Sequence, residues 1–171
     1  DAILVEGEEY SVYNTDAYAN ALTKLIEKYK PSIFLIGATN NGRDLGPRVA
    51  CRLGTGLTAD CTSLAIDEES GNMAWTRPAF GGNLMARILC PDHRPQMGTV
   101  RPGVFKKGLM DADRTGEIIR EDIHMDPSEI RTKIVKRVKE VAEAVNLEEA
   151  EIIVTGGRGI GKPENFSLVR E

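Results

Sequence analysis

A glycine-rich turn near the carboxyl terminus is the first place where this sequence could bind a ligand. Residues 151–155 form a β-branched apolar run, EIIVT, and the glycine-rich stretch GGRGIG follows at residues 156–161. The order strand, glycine loop, helix builds phosphate sites, and Arg158 places a cation inside the turn. The spacing does not fit the dinucleotide pattern GxGxxG, so the residues by themselves predict only an anion-binding turn.

A second candidate loop, ATNNGRDLG, occupies residues 38–46 after a predicted strand. Gly42 and the amide groups that open the following helix could receive a phosphate. Asp44 stands in that same first turn and would repel a phosphate, and helix capping by Asn40, Asn41 or Asp44 explains the loop more simply. We therefore interpret this loop primarily as a helix cap and not as a phosphate site.

Three Arg-Pro pairs, at Arg77, Arg94 and Arg101, lie close together in the chain. A residue before proline is pushed towards extended backbone, so each guanidinium is presented from a stiff strand. Such a set could receive an anion or a carboxylate. Alternatively, the prolines blunt edge strands while the arginines pair with the many acidic residues of the chain.

Composition excludes several classes of function. The 22 basic and 26 acidic residues leave a net charge of −4, so neither nucleic acid nor a membrane surface is an expected partner. Cys51, Cys61 and Cys90 fit neither a disulfide framework nor a CxxC metal pair, and they favour reduced thiols in a cytoplasmic setting. Cys90 with His93 has no second pair, so no metal site is predicted. His93 and His124 lie in no nucleophile context, no catalytic residue is predicted, and no apolar run is long enough to span a bilayer.

The elements that position these loops follow from hydrophobic spacing. Apolar residues recur at helical intervals over 14–30, and Pro31 ends this predicted helix. A buried strand is predicted at 32–37. It leads into a second helix, which Gly54 ends. Between 58 and 105 the pattern changes to short alternating strands, which predict an antiparallel portion: DCTSLAID, MAWTRPAF, LMARILCP and QMGTVRPGVF.

A further helix and strand are predicted towards the carboxyl terminus. Asp126, Pro127 and Glu129 form a helix start, in which aspartate is the cap and proline lies in the first turn. An apolar stripe continues that helix over 130–145. The run at 150–155 then predicts a strand.

Helices that alternate with parallel strands at both ends predict the α/β class. We expect a three-layer, mainly parallel sheet with helices on both faces, similar to nucleotide-binding folds, plus an antiparallel extension. The closing strand begins a new glycine loop, so we predict a domain boundary near 146–151 that divides 1–149 from 150–171.

Three long motifs in this order resemble the alpha subunit of electron transfer flavoproteins, from about Tyr10 to the end: GATNNGRDLGPRVACRLGTGLTADCT, TRPAFGGNLMARILCPDHRPQMGTVRPGVF and IIVTGGRG. The resemblance implies that 1–149 is the amino-terminal α/β domain of that subunit, with its first strand and helix missing before Asp1. It also implies that 150–171 begins the FAD-binding domain, nearly all of which would lie beyond Glu171.

The resemblance further implies a cofactor, partners and a role. GGRG is similar to the family's first FAD-contacting turn, which implicates Gly156, Gly157, Arg158 and Gly159, but the later FAD motifs have no counterpart here. This chain alone is therefore not expected to retain FAD. The family is an electron carrier rather than a conventional enzyme, and it passes electrons between an acyl-CoA-type or other dehydrogenase and an acceptor. The stretches RPAFGGN and RPQMGTVRPG resemble bacterial and archaeal members, including flavin-bifurcating ones.

In that family the alpha subunit forms a heterodimer with a beta subunit. Exposed aromatic and arginine side chains on stiff strands suit an interface core. We therefore expect the beta-subunit contact around Trp75, Arg77, Phe80, Asn83, Arg94 and Arg101. Two alternatives stay open: a structural interaction domain without a ligand, and a free-standing nucleotide-binding enzyme that uses the 38–46 loop.

Overall fold

The computed structural model describes residues 1–111, 113–132, 134–136, 138, 150 and 152–170. Two compact units are present, Asp1–Ile134 and Val135–Glu171. The first unit holds the elements in which buried side chains form a core, in chain order β1 (Ala2–Val5), α1 (Thr15–Tyr29), β2 (Ile33–Gly37), α2 (Asn40–Leu53), β3 (Leu57–Cys61), β4 (Ser63–Ile66), β5 (Met73–Ala79), β6 (Leu84–Ile88), β7 (Gln96–Val100) and β8 (Ile118–Glu121).

Helix α1 begins and ends where the sequence predicts. The Asn14 side chain caps the helix by accepting hydrogen bonds from the backbone N–H groups of Asp16 and Ala17. Lys30 ends it in the left-handed conformation, with φ of 46°. The helix buries its alanines, Ala17 among them, while Tyr29 at its end is exposed.

Strand β7 lies between β2 and β3 and runs parallel to both. Its register places Gln96 beside Ile33 and Met97 beside Leu57. The prediction that this segment belongs to the antiparallel portion is wrong. All residues of 96–99 are buried, because the central strand of a parallel sheet is covered on both faces and need not alternate apolar with polar residues.

Helix α2 covers one face of this parallel sheet. The Thr39 side chain caps it by accepting a hydrogen bond from the Gly42 backbone N–H at 3.2 Å, and Gly54 ends it with φ of 64°. A Cβ atom on Gly46 would lie 3.0 Å from the Leu57 side chain, so the glycine permits the close approach of helix and sheet. The predicted strand and helix of this segment are therefore confirmed, but the cap is Thr39 and not Asn40, Asn41 or Asp44.

The antiparallel sheet, in the order β4-β5-β6, packs against the opposite face through Trp75. A Cβ atom on Gly98 of β7 would lie 2.3 Å from the Trp75 ring, so the indole rests on the bare backbone of the parallel sheet. Cys61 and Met73 complete this buried cluster. Helix, parallel sheet and antiparallel sheet form three layers, and the predicted α/β class with an antiparallel extension is confirmed.

Strands β1 and β8 pair in parallel as a separate two-stranded sheet. The sequence pattern does not predict β8, which has only four residues. The Tyr10 hydroxyl donates to the Ile123 carbonyl at 2.7 Å, and Lys28 pairs with Glu121 at 2.6 Å. Contacts with α1 and the turn that precedes it therefore hold β8 and the segment after it in place.

The helix predicted to start at Asp126 is not formed by the described residues. Asp126 accepts a hydrogen bond from the Ser128 backbone N–H as a cap should, but only the 3-10 turn Pro127–Glu129 follows. Arg131 instead donates its backbone N–H and its guanidinium to Asp16 of α1. This tertiary contact overrides the local helix signal, and residues 133, 137 and 139–145 of the predicted helix lie outside the described part of the chain.

The second unit does not form the predicted strand. Residues 152–155 have no strand partner among the described residues, and the side chains of Ile152 and Val154 are 84% and 72% exposed. The 3-10 turns Arg158–Ile160 and Pro163–Phe166 and the short helix α3 (Ser167–Arg170) follow. The predicted domain boundary at 149/150 stays a prediction.

Candidate functional site

The glycine turn of the second unit exposes its backbone. The Ile160 N–H donates to the Gly157 carbonyl, and the Gly161 N–H donates to the Arg158 carbonyl, both at 3.1 Å. A Cβ atom on Gly157 or Gly159 would meet nothing within 4 Å, so a flat ligand could approach the main chain at either position.

The two other predicted cofactor residues of this turn differ in exposure. A Cβ atom on Gly156 would lie 2.1 Å from the Ile160 side chain, so this glycine is needed for packing within the turn. The Arg158 side chain is exposed. An open glycine backbone beside an exposed cation is compatible with one wall of a site for an anionic or flat cofactor.

Phe80 and Asn83 lie where strand β5 turns back into β6. Phe80 is 81% exposed and adopts a left-handed backbone conformation with φ of 49°, which is unusual for a bulky residue. Leu84 and Met85, the first residues of β6, are also more than half exposed. This β5–β6 tip, defined as residues 80–85, presents apolar side chains to solvent.

Trp75 is not part of any exposed surface. Its side chain is completely buried between the two sheets, where Gly98 leaves room for the indole ring. The expectation that it contributes to an exposed contact is wrong, because a strand that packs face to face on another sheet turns alternate side chains inward.

Arg94 is engaged within its own loop. Its guanidinium donates to the carbonyl oxygens of Cys90, Pro91 and His93 and to the Asn72 side chain at 2.8–3.1 Å. Arg94 precedes β7 whereas Arg101 follows it. The three Arg-Pro pairs therefore do not form one receiver.

Arg101 instead pairs with Asp60 at the carboxyl end of β3. Arg101 binds both carboxylate oxygens of Asp60, at 3.0 and 2.6 Å. The hydrogen bonds from Arg101 hold the pKa of the Asp60 carboxyl below its usual range, although burial acts to raise it. The charges of Arg101, Arg43 and Arg77 also lower this pKa.

Two acidic residues on which arginines converge were missed by reasoning from the sequence. Asp60 becomes recognisable only once β7 is known to lie beside β3, because the carboxyl ends of parallel neighbours then meet. Asp16, with a side chain only 6% exposed, accepts hydrogen bonds from Arg48 and Arg131. A carboxylate in the first turn of an amphipathic helix was the available signal for this buried acidic residue.

None of the helices in the part of the chain that the structure describes is both long enough and apolar enough to cross a membrane.

Fold and turn together define an α/β domain of the nucleotide-binding-like type, followed by a segment with an exposed glycine turn. Residues 1–125 match the family model described as "Electron transfer flavoprotein domain". The chain belongs to the electron transfer flavoprotein family.

The sequences of several curated relatives match this chain over nearly its whole length. The electron transfer flavoprotein subunit alpha of Thermoanaerobacterium thermosaccharolyticum is 56% identical over 98% of this chain and 51% of its own length. The protein of the same name from Megasphaera elsdenii is 53% identical over 90% of this chain and 46% of its own length. The acryloyl-CoA reductase electron transfer subunit beta of Anaerotignum propionicum is 44% identical over 94% of this chain and 50% of its own length. The chain spans about half the length of the curated relatives that it matches.

Proposed function

We propose that this chain is the amino-terminal part of an electron transfer flavoprotein alpha subunit, which passes electrons through FAD between a dehydrogenase and an acceptor. The observation that carries this proposal is 56% identity over 98% of the chain to a protein named as such a subunit. The three-layer domain is then a scaffold that binds the partner subunit.

The turn GGRG is the part of this chain that we assign to FAD. When bound, FAD supplies the redox chemistry of the protein. The open backbone at Gly157 and Gly159 lets a flat ring system approach the main chain, and the exposed Arg158 places a positive charge beside it. A small-molecule site usually encloses most of its ligand, so this single turn is one wall of a site that needs further walls.

The beta-subunit contact is assigned to the β5–β6 tip. Phe80, Leu84 and Met85 are 81%, 59% and 56% exposed, and aromatic and methionine side chains are enriched in the cores of protein interfaces. Asn83 lies among them, whereas Trp75 is buried and the guanidinium of Arg94 is hydrogen-bonded to its own loop and to Asn72. We therefore propose that the beta-subunit contact predicted from the sequence is centred on this β5–β6 tip.

The redox partner of the intact protein is proposed to be an acyl-CoA-type dehydrogenase or reductase. The relative from Anaerotignum propionicum is named as an electron transfer subunit of acryloyl-CoA reductase, which supports this class. A cytoplasmic location stays a prediction. Flavin bifurcation also stays a prediction, because it depends on residues outside this chain.

Co-purification with the beta subunit tests the proposed role. We expect the chain to retain a co-expressed beta subunit on an affinity column, and Phe80→Ser with Leu84→Ser to reduce its retention at least about tenfold through lost apolar burial. Leu109→Ser is the matched control, because Leu109 is a fully exposed leucine outside the tip.

Three results would separate the alternatives. Unchanged retention by the double variant would contradict the assignment of the tip. Absence of any beta-subunit binding would favour an interaction domain of another kind. Tight retention of a nucleotide by the purified chain would favour an enzyme that uses the 38–46 loop.

A further inference from the structure

Two arginine side chains contact one carboxylate at the carboxyl edge of the parallel sheet, and a third arginine comes from the adjacent antiparallel sheet. Asp60 lies near the end of β3, Arg101 directly follows β7, and Arg43 lies in the first turns of α2. Arg101 holds both oxygens of Asp60, at 3.0 and 2.6 Å, and Arg43 approaches one of them at 3.3 Å. The side chains of Arg43 and Arg101 are still 55% and 42% exposed, so their outer N–H groups can be reached from solvent.

The third arginine, Arg77, comes from the antiparallel sheet. Strand alternation places Arg77 on the same face of β5 as Trp75, the face that packs on the parallel sheet. The Thr62 backbone N–H donates to the Thr76 carbonyl at 2.8 Å, which brings Arg77 beside the chain segment that follows Asp60 and Cys61. The Nε atom of Arg77 is buried and has no hydrogen-bond partner among the described residues. A buried donor on a charged group is costly when it is unpaired, so this atom indicates a missing acceptor.

The local charge balance leaves a surplus of positive charge. Two guanidinium groups contact one carboxylate and a third comes from the adjacent strand β5, and among the described residues Asp60 is the only acidic side chain that accepts a hydrogen bond from any of them. Asp44 in the first turns of α2 would repel an anion, but its carboxylate accepts hydrogen bonds from Tyr13 and Thr15 and is therefore directed to α1.

The backbone at Asp60 is strained, as is common where a site is built. Asp60 adopts the left-handed conformation with φ of 61°, and the β3 register shifts between Thr58 and Cys61. Its backbone N–H donates to the Thr99 hydroxyl at 2.8 Å, which holds the distorted strand end against β7. This distortion directs the Asp60 carboxylate towards the arginines instead of leaving it in the regular strand pattern.

We propose that Arg43, Arg77 and Arg101 around Asp60 bind a compact oxyanion of the phosphate type. Ligands of open α/β sheets bind at the carboxyl ends of the strands, and the amino terminus of the 14-residue helix α2 opens at the same edge. Because the unpaired Arg77 Nε is shielded from solvent, its acceptor must be small enough to enter between the two sheets. The proposal does not depend on the flavoprotein role of the chain.

Titration with inorganic phosphate, followed in amide NMR spectra at constant ionic strength, tests this site. We expect saturable shifts at Arg43, Asp60 and Arg101, and at least about tenfold weaker binding in Arg77→Gln, since charge-assisted contacts dominate anion affinity. Arg52→Gln is the matched control: it removes the same charge from an exposed position at the opposite end of α2 and should change affinity by less than about twofold.

Asp60→Asn makes the test sharper because its expected effect has the opposite sign. Asparagine tolerates the left-handed conformation, so the backbone is kept while the competing negative charge is removed. Phosphate should then bind several times more tightly than to the wild type. Arg43→Gln, at an exposed side chain whose loss does not threaten folding, should again weaken binding.

The proposal is overturned if phosphate shifts do not saturate in the wild type, or if Arg77→Gln and Arg52→Gln bind phosphate alike. It is also overturned if Asp60→Asn weakens binding while its amide spectrum stays folded. Loss of beta-subunit binding in Arg77→Gln, without any phosphate binding to the wild type, would make the cluster a protein contact instead.

Discussion

Two segments of this chain have the same sequence signature, an apolar run followed by a glycine-rich loop and a helix, yet only one forms all three elements. In the segment 33–53 strand, loop and helix are present, and Thr39 caps the helix. In the segment 152–170 the apolar run forms no strand among the described residues, and 3-10 turns with a four-residue helix follow the glycines.

The difference lies in what surrounds each segment. Strand β2 pairs along its length with β7, and the side chain of Ile36 packs under α2. Ile152 and Val154 remain 84% and 72% exposed. A strand needs a neighbouring strand for its backbone hydrogen bonds and a surface for its apolar side chains to cover. An apolar run in the sequence therefore forms a strand only where such neighbours are present. We therefore expect residues 152–155 to form a strand only where further strands lie beside them.

The largest expected contrast comes from placing alanine in each glycine loop. A Cβ atom on Gly42 would lie 1.9 Å from the Gly37 carbonyl oxygen, so Gly42→Ala should lower the free energy of unfolding by at least about 2 kcal/mol despite the better helix propensity of alanine. Gly157→Ala meets no atom within 4 Å and should change it by less than about 0.5 kcal/mol. Urea unfolding measures both, and equal effects would show that the first loop is not closely packed.

Arg158 should affect redox chemistry rather than stability. A reduced flavin carries negative charge that the oxidised ring lacks, so a neighbouring guanidinium raises the reduction potential. If Arg158 lies beside the flavin as proposed, Arg158→Ala in an FAD-loaded form extended to the length of the relatives should lower the first potential by about 60 mV, the equivalent of one charge-assisted contact.

Redox titration of that variant also distinguishes a structural role. Arg158→Lys should recover part of the potential, because it keeps the charge but loses the planar fork. Weaker FAD retention with an unchanged potential in Arg158→Ala would mean that the arginine only supports the turn.

Removing the cap of α2 should have a smaller effect than Gly42→Ala and tests the same comparison of the two segments. Thr39→Ala removes the hydroxyl that accepts the Gly42 N–H and should cost about 1 kcal/mol in the free energy of unfolding. Thr115→Ala, at an exposed threonine outside any helix, is the control and should be neutral. A neutral Thr39→Ala would show that packing of α2, without its cap, suffices to hold this loop.

The smallest expected effect is a pH dependence carried by His124. Its ring nitrogens lie 2.9 Å from Glu9 and 2.9 Å from Asp122, and the hydrogen bond to Glu9 is the main cause of a pKa raised above 6.5. Since the folded pKa exceeds the unfolded one, this contribution to stability is complete below the unfolded value and is lost as pH rises through the folded one.

Unfolding of His124→Gln at two pH values checks this dependence. The variant should be less stable than the wild type at about pH 5.5 and closer to it at about pH 8.5. His93→Gln, at the other histidine of the chain, serves as the control. A wild-type advantage that grew with pH would contradict the assignment.

Elements with local signals could be predicted from the sequence, whereas those decided by distant neighbours could not. Asn14 and Pro31 bracket α1 because caps and prolines act within one turn. The place of β7 between β2 and β3 depends on pairing across more than thirty residues, and its residues lack the alternation that would reveal it.

The same distinction applies to the candidate sites. The exposed tip residue Phe80 and the glycine turn around Arg158 were visible as motifs. Asp60 was not, because the arginines that bind it come from two elements that are distant from it in the sequence. Trp75 was misplaced because a single aromatic on an alternating strand does not show which face is covered.

Flavin retention tests the central claim most directly. The 171-residue chain and a form extended to the length of its relatives would each be co-expressed with the beta subunit, and FAD absorbance per chain would be measured after purification. We predict that the extended form retains stoichiometric FAD while the 171-residue chain binds the beta subunit but stays colourless. Stoichiometric FAD on the short chain, or none on the extended form, would contradict the account.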